Sequence, residues 1–412
     1  MKERIPTAPA MALTPQAMDH LVEALRAYHA IYRPVLQRRE QREGAATYLH
    51  GLLLAIPRTS IEPMVLALDG APPKTVRTRP LFSSEGAWDD EALLHRHGHE
   101  VEQGLGEADG VLTLDGSDCL QQGRESVGVK RQDGGAVGKR AHGQAGVSVG
   151  DASRPGSTLL DRRRSWPQAW VADDASAERR RRGGVPADLP CKPKPAWGWE
   201  RIQARHRAQP LRARGVTCDA ALGRDTSVLD PIDGLGLWYW AEVSHDTQGW
   251  PHRPATAVPP WTGQGRNPTR TRGLAGATQR AEVAQLAAAL PADRWTPHTL
   301  KEGSTGPLVA RFAAVRVSTV RDGLPGPEVW LVLRRHLVTG EPQTSLSHAP
   351  ADTALSTLGR LRGMRWPIET CCEDGKQSLG MGDDAVRGWR GGHHPMTLCI
   401  VAHLFLVRAC LR

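Results

Sequence analysis

The stretch Val111–Asp115, VLTLD, decides the fold of this 412-residue chain. Apolar and β-branched residues lead directly into an aspartate, which is typical of a buried strand that ends at a polar edge. The stretch Gly215–Asp219, GVTCD, repeats the pattern. A third carboxylate, Glu369, lies in the first turn of a helix that Pro367 opens, because proline suits the first helical position. Strands and helices in this sequence predict an α/β core.

The pattern of helical and β-rich sequence changes along the chain, and these changes predict four domains. An N-terminal helical domain covers 1–105, and it fits either a DNA-docking module or a purely structural helical subdomain. The first part of the catalytic core covers 106–225, with a strand at Ser126–Arg131 and helical sequence over 174–206. A β-rich insertion covers 226–345, and the C-terminal helical part of the core covers 346–412.

The net charge of the chain favours a polyanionic partner. It carries 53 Lys and Arg against 44 Asp and Glu, a formal charge of +9, and most of the positive charge is arginine, which suits bidentate phosphate recognition. Many basic proteins bind nothing in particular, so charge alone leaves the partner open. The longest apolar stretch, Met396–Val407, is too short for a membrane span. No secretion signal and no C-x-x-C pair is found, which favours a reduced cytoplasmic protein without membrane contact.

The three carboxylates suit a metal site, but each has a simpler interpretation. Carboxylates at the ends of neighbouring strands, joined by one from a packed helix, are the hard oxygen ligands that Mg²⁺ prefers. An aspartate after a strand is more often a turn former or helix N-cap, and Asp118 and Asp225 are assigned that role. Glu373 lies one helical turn after Glu369 on the same face, and periodicity alone does not choose between them.

Two basic residues flank Glu369. Lys376 follows it by seven positions, which is two turns along the same face, and Arg365 precedes the helix. A carboxylate with cations on its face suits a bound phosphate. A surface ion pair on a solvated face fits equally well.

Arg365, Glu369 and Lys376 stand in the spacing R-x3-E-x6-K. This spacing resembles a motif of bacterial insertion-sequence transposases with a DDE catalytic triad. The sequence around it, GMRWPIETCCEDGKQSLGMGDDAVRGWRG, resembles the same family. Four further segments resemble that family in the same order: TYLHGLLLAIPRTSIEPM, VLTLDGSDCLQQGRESVGVKRQ, GVTCDAALGRD and LGLWYWAEVSHDT. The resemblance covers the chain from about residue 30 to its end.

The resemblance implies a ribonuclease-H-like mixed sheet flanked by helices, interrupted by a β-rich insertion and preceded by a helical domain. By position, Asp115 and Asp219 match the two catalytic aspartates and Glu369 the catalytic glutamate. The implied activity is metal-dependent cleavage at transposon ends and strand transfer into target DNA. The three carboxylates would hold two Mg²⁺ ions, with Mn²⁺ as a substitute.

The resemblance also implies contacts with double-stranded DNA, both terminal inverted repeats and target. Arg365 and Lys376 match motif positions that contact DNA near the cut. Lys130 and Arg131, in a matching segment, and Arg266 and Arg270, in the basic loop GRNPTRTRG, are further predicted DNA contacts, with a solvated basic surface as the alternative. A homodimer in a synaptic complex and a nucleoid-associated bacterial location follow by analogy.

The sequence departs from the family pattern at several positions. Arg362 stands where the motif has a tyrosine, and Gln121 and Gln122 replace a usual Pro-Lys pair. The chain has only three Phe and four Tyr. Two alternatives therefore stay open: a catalytically decayed transposase that acts only as a DNA-binding protein, and a simple metal-dependent nuclease without a joining step.

Overall fold

In the computed structural model, the strands that lead into Asp115 and Asp219 lie in one sheet of eleven strands, and two smaller sheets contain the strands within 119–144 and those within 256–273. The structure describes residues 14–54, 56, 61–69, 80–116, 118–120, 126–134, 139–172, 175–208, 212–274, 276–303, 306–336, 340, 342–382 and 388–411. No helix in these ranges is both long and apolar enough to cross a membrane.

Helices and strands are numbered here in chain order. The helices are α1 Pro15–Tyr32, α2 Arg39–Leu52, α3 Ile61–Asp69, α4 Pro80–Ser84, α5 Asp90–Gly104, α6 Gln168–Ala172, α7 Ala175–Arg182, α8 Lys194–Ala208, α9 Thr226–Leu229, α10 Val283–Ala288, α11 Leu355–Gly363, α12 Pro367–Gln377 and α13 Trp389–Cys410. The strands are β1 Val111–Gly116, β2 Cys119–Leu120, β3 Lys130–Gly134, β4 Lys139–Gln144, β5 Gly146–Ala152, β6 Ser157–Arg164, β7 Gly215–Cys218, β8 Trp238–Val243, β9 Gln248–Trp250, β10 Thr256–Ala257, β11 Arg272–Gly273, β12 Ala281–Glu282, β13 Thr296–Gly303, β14 Gly306–Arg321, β15 Leu324–His336 and β16 Pro342–Ser347.

The centre of the large sheet has the arrangement that the sequence predicts. Its strand order is β12-β9-β14-β15-β16-β8-β7-β1-β5-β6, with β13 paired to β14. Strands β1 and β8 both lie parallel to β7, whereas β5 pairs antiparallel with β1 and β6 pairs antiparallel with β5. A mixed sheet of this kind flanked by helices confirms the ribonuclease-H-like fold class.

Most strands of the predicted insertion belong to the same sheet, where β16 pairs with β8, but β10 and β11 form a separate two-stranded sheet. The chain divides into two compact units, one of residues 98–373 and the other of residues 1–97 with 374–412. The large sheet lies in the first unit, and α1 to α4 and α13 lie in the second. The division into four domains stays a prediction.

Close packing against glycines fixes the strands and helices that carry the site. A Cβ on Gly215 would lie 2.2 Å from the Trp238 carbonyl oxygen, so only glycine allows β7 to approach β8 there. A Cβ on Gly150 in β5 would lie 2.9 Å from Ile368 Cδ1, so α12 packs directly on this strand. The buried core beside them includes Trp240, Phe312 and Leu358.

Two local predictions were wrong, and both errors involve glycine. The predicted strand Ser126–Arg131 begins only at Lys130, because Gly128 has φ 76° and makes a turn. The predicted helical stretch 174–206 is two helices, since Gly184 adopts a left-handed conformation with φ 66° after α7. Prolines at 186, 190 and 193 then disfavour helix until α8 begins, and Leu189 N–H donates to the Pro186 carbonyl in a turn between the helices.

Candidate active site

Asp115 lies where β1 leaves the core of the sheet. The four residues before it are fully buried, and its own side chain is 18% exposed. The pKa of the Asp115 carboxyl is raised to about 6, chiefly because burial disfavours its charged form. The negative charges of Asp219 and Glu369 raise it further, and the Arg365 guanidinium opposes them. Asp219 and Glu369 therefore both lie near enough to Asp115 for their charges to act on it.

Asp219 follows β7 at the same edge of the sheet. Strands β1 and β7 are parallel, and Leu114 lies opposite Cys218, so the two aspartates come next in register. Asp219 Oδ1 also accepts a hydrogen bond from the Leu222 amide at 2.8 Å. The aspartate thus does form the turn that its simpler interpretation predicts, while its charge still acts on Asp115.

Glu369 reaches the site from the first turn of α12. The contact of Ile368 with Gly150 holds this turn against the sheet. Glu369 Oε1 accepts a hydrogen bond from Arg365 Nη2 at 2.7 Å, and the carboxylate is 38% exposed. Glu373, the competing candidate, is exposed. The ion pair of Glu369 with Arg365 and its charge effect on Asp115 favour Glu369 over Glu373.

The Arg365 guanidinium lies among the carboxylates. Besides Glu369, it contacts Asp115 (Nη1 to Oδ1, 3.7 Å) and Glu242 (Nε to Oε1, 3.1 Å). Its Nη1 is buried and has no hydrogen-bond partner among the described residues. The neighbouring carboxylates favour the charged guanidinium and raise the pKa of Arg365, although burial opposes them.

Glu242 is the site residue that sequence reasoning missed. It lies on β8, opposite Ser345 of β16, and its carboxylate also faces Arg362 (Oε1 to Nη2, 3.5 Å). An acidic residue inside the otherwise apolar stretch LGLWYWAEV was the one available indication of its role. Without the register of β8 against β7, that residue could not be assigned to the edge of Asp219.

Arg362, at the position of the family tyrosine, is buried behind the site. Its side chain is 3% exposed, and its Nε donates a hydrogen bond to Ser345 Oγ at 2.7 Å. Burial lowers the pKa of Arg362 to about 10, and the Glu242 carboxylate opposes that effect. Arg362 therefore packs between α11 and the sheet as a second cation beside Glu242.

The predicted DNA contacts are distributed over the chain. Lys376 is half-buried in the last turn of α12, within the unit that contains residues 374–412, and Lys130 is exposed at the start of β3. The side chain of Arg131 lies outside the described residues. Arg266 and Arg270 are exposed between β10 and β11.

A basic residue that the sequence did not indicate lies beside β1. Lys194, the first residue of α8, forms an ion pair with Asp118 (Nζ to Oδ1, 2.8 Å). Its Nζ would be 3.9 Å from a Cβ on Gly116, the residue after Asp115. Lys194 is thus a further cation at the edge of the sheet that carries the carboxylates.

The donor chemistry of the site fits divalent metal ions, since carboxylate oxygens are their preferred protein ligands. As they stand, no three Asp, Glu, His or Cys side chains among the described residues are grouped closely enough to hold a metal ion. The Arg365 guanidinium occupies the space between Glu369 and Asp115 instead. Metal binding at these carboxylates therefore requires Arg365 to withdraw from them.

Comparison with known families agrees with this arrangement. The family model described as DDE superfamily endonuclease matches residues 32–307, about two thirds of the chain. The chain belongs to the DDE superfamily of endonucleases. The match includes Asp115 and Asp219 and ends before Glu369. The comparison with curated proteins gave no significant match. DDE endonucleases cleave DNA with divalent metal ions, and this member brings an acidic cluster to the edge of a ribonuclease-H-like sheet.

Proposed function

We propose that this DDE endonuclease is a transposase, which cuts DNA at transposon ends and transfers the freed 3′-OH to target DNA. One observation carries the proposal. Asp115 on β1 and Glu369 on α12 both contact the Arg365 guanidinium, and Asp219 follows β7, the strand that pairs in parallel with β1. The spacing of Arg365, Glu369 and Lys376 supports transposition in particular, because it matches the motif of the insertion-sequence enzymes.

Each residue has a defined role in the proposed reaction. Asp115, Asp219 and Glu369 would hold Mg²⁺, or Mn²⁺ in its place. When bound, the metal supplies Lewis-acid activation of the attacking oxygen and stabilises charge on the leaving oxygen. Arg365 and Lys376 bind the DNA backbone near the cut. Lys130, Arg131, Arg266 and Arg270 neutralise phosphates farther along the duplex.

The proposed partners follow from the reaction. Two transposon ends must be held together for cutting and joining, so we propose a synaptic homodimer on double-stranded DNA. Its substrates are the terminal inverted repeats and the target DNA, and its proposed location is the bacterial nucleoid in the cytoplasm.

The test uses end-labelled DNA from both flanks of the coding sequence, with Mg²⁺ and an unlabelled target plasmid. Wild-type protein should cut the flanks and join them to the plasmid. Asp115→Asn and Glu369→Gln should each lower cleavage about a thousandfold, because a carboxylate ligand is lost. Glu373→Gln is the matched control, since Glu373 lies one turn away on the same helix and is exposed.

Each other outcome has a specific meaning. Binding without cleavage by the wild type would indicate a decayed transposase that acts as a DNA-binding protein. Cleavage without joining would indicate a simple nuclease. Cleavage that survives in both carboxylate variants, or is lost in Glu373→Gln alone, would show that the site assignment is wrong.

A further inference from the structure

Glu242 lies between two cations at the back of the acidic cluster. Its Oε1 is 3.1 Å from Arg365 Nε and 3.5 Å from Arg362 Nη2, and its side chain is 26% exposed. Its main chain pairs with Ser345 of β16, and its neighbour Ala241 pairs with Cys218 of β7.

Arg365 and a divalent cation compete for the same oxygens. The guanidinium donates to Glu369 Oε1 and lies 3.7 Å from Asp115 Oδ1, and both residues are proposed metal ligands. Glu242, Asp115, Asp219 and Glu369 carry four negative charges against the two positive charges of Arg362 and Arg365. The cluster therefore carries two net negative charges, which one divalent ion would balance. The ligand oxygens become available to that ion once Arg365 leaves its contacts with Asp115 and Glu369.

The contact of Arg365 Nε with Glu242 does not involve the proposed metal ligands, so metal binding would leave it in place. Nε points to Glu242, whereas Nη1 and Nη2 point to Asp115 and Glu369. A small rotation of the guanidinium about the Nε contact would free both ligand carboxylates without breaking the Glu242 ion pair. Both Nη groups would then be free to bind a DNA phosphate in the bidentate manner that arginine favours.

We propose that Glu242 is a positioning residue, which holds Arg365 so that Glu369 and Asp115 can bind a divalent cation. This inference rests on the proposed function, because it takes these carboxylates as metal ligands. Arg362 supports the arrangement by pairing with the same carboxylate from its buried position, where Ser345 Oγ accepts a hydrogen bond from it.

Two other roles for Glu242 make different predictions. As a direct metal ligand, Glu242 would contribute to metal affinity whether or not Arg365 is present. As a purely structural partner of Arg362, it would affect stability and leave metal affinity unchanged. A double-mutant cycle with Arg365 separates these roles, because it isolates the coupling between the two residues.

The experiment measures Mn²⁺ binding by calorimetry, without DNA, for the wild type, Glu242→Gln, Arg365→Gln and the double variant. The amide of Glu242→Gln keeps the hydrogen-bond acceptor and removes the charge. Glu242→Gln should weaken Mn²⁺ binding about tenfold, because Arg365 then pairs more strongly with Glu369 and Asp115 and competes with the metal ion. Arg365→Gln should tighten Mn²⁺ binding, since the competing cation is gone.

In the Arg365→Gln background, adding Glu242→Gln should change Mn²⁺ affinity by less than about twofold. Glu328→Gln is the charge-matched control, since Glu328 is exposed on β15 and should leave Mn²⁺ affinity as in the wild type. A tenfold loss that persists in the double variant would overturn the proposal in favour of a direct ligand. No change in Glu242→Gln, or no Mn²⁺ binding by any variant, would also overturn it.

Glu242→Asp keeps the test valid if Glu242→Gln does not fold. It retains a negative charge for Arg362 but shortens the side chain by one methylene, so it withdraws the carboxylate from Arg365. Mn²⁺ binding should weaken in the same direction, and unchanged affinity would count against the proposal. Because metal affinity is read without DNA, a wild type that binds Mn²⁺ and never cuts DNA contradicts the proposed function and leaves the role of Glu242 intact.

Discussion

Asp151 in β5 is a buried acid whose removal should stabilise the protein. Its side chain is 3% exposed, and Oδ1 has no hydrogen-bond partner among the described residues. Burial raises the pKa of Asp151 to about 8, and the negative charges of Glu102 and Glu107 add to the effect. We expect Asp151→Asn to unfold at a higher temperature than the wild type at neutral pH, because the amide carries no charge to bury.

The size and sign of this effect follow from proton linkage. The native carboxyl titrates near pH 8 and the unfolded one near its ordinary 3.8, so below pH 3.8 both states are protonated and Asp151 costs nothing. As the pH rises, the unfolded state ionises first and gains stability relative to the native state. The cost at pH 7 is about 4 kcal/mol at most, and it stops growing above pH 8.

The assay is chemical unfolding of the variant and the wild type at pH 5, 7 and 8.5. The advantage of Asp151→Asn in unfolding free energy should increase from pH 5 to pH 8.5. Asp109→Asn is the opposite-sign control, because Arg214 and Arg360 hold the pKa of Asp109 below its usual range. That variant should lose stability at neutral pH. An Asp151→Asn advantage that is absent, or equal at all three pH values, would refute the reasoning.

Three further predictions concern packing around the site and in the helical unit. Gly150→Ala should lower the rate of DNA cleavage at least about tenfold while the chain still folds, because the new Cβ would press on Ile368 and shift α12. An unchanged cleavage rate would show that α12 tolerates the contact. Trp366 is 65% exposed beside Arg365, so Trp366→Ala should leave the unfolding temperature unchanged and weaken binding of single-stranded DNA about tenfold, as measured by fluorescence anisotropy. His394→Ala should lower the free energy of unfolding by about 3 kcal/mol, as measured in urea, because His394 is buried and its Nδ1 lies 2.7 Å from Asp90 Oδ2. A loss below about 1 kcal/mol would contradict a stabilising role for this pair.

The elements that carry the acidic cluster could be predicted because their information is local. The run VLTL before Asp115 and the run GVTC before Asp219 are apolar or β-branched, and both are strands. Pro367 begins α12 at the predicted residue, and Gln377 ends it. In each case the residues that decide the element lie within a few positions of it.

The contacts within the site could not be predicted because they depend on the register between distant segments. Glu242 and Arg365 are more than a hundred positions apart, and they meet only because β8 pairs with β7 and α11 packs on the sheet. The R-x3-E-x6-K spacing was interpreted as a face that binds phosphate. The alternative of an ion pair fits the observed contact of Arg365 with Glu369, but the spacing gave no indication that Arg365 would also contact Asp115 and Glu242.

The buried core contains aromatic residues although the chain has few Phe and Tyr residues. All three Phe residues are buried, and Trp197 and Trp240 are among the largest fully buried side chains. The interpretation of the chain as a decayed copy stays a prediction. It depends on the candidate active site, where Arg362 takes the place of a tyrosine and Arg365 contacts two of the proposed metal ligands. Glu242 compensates both arginines, so metal affinity in the Arg365 and Glu242 variants tests that interpretation more directly than composition does.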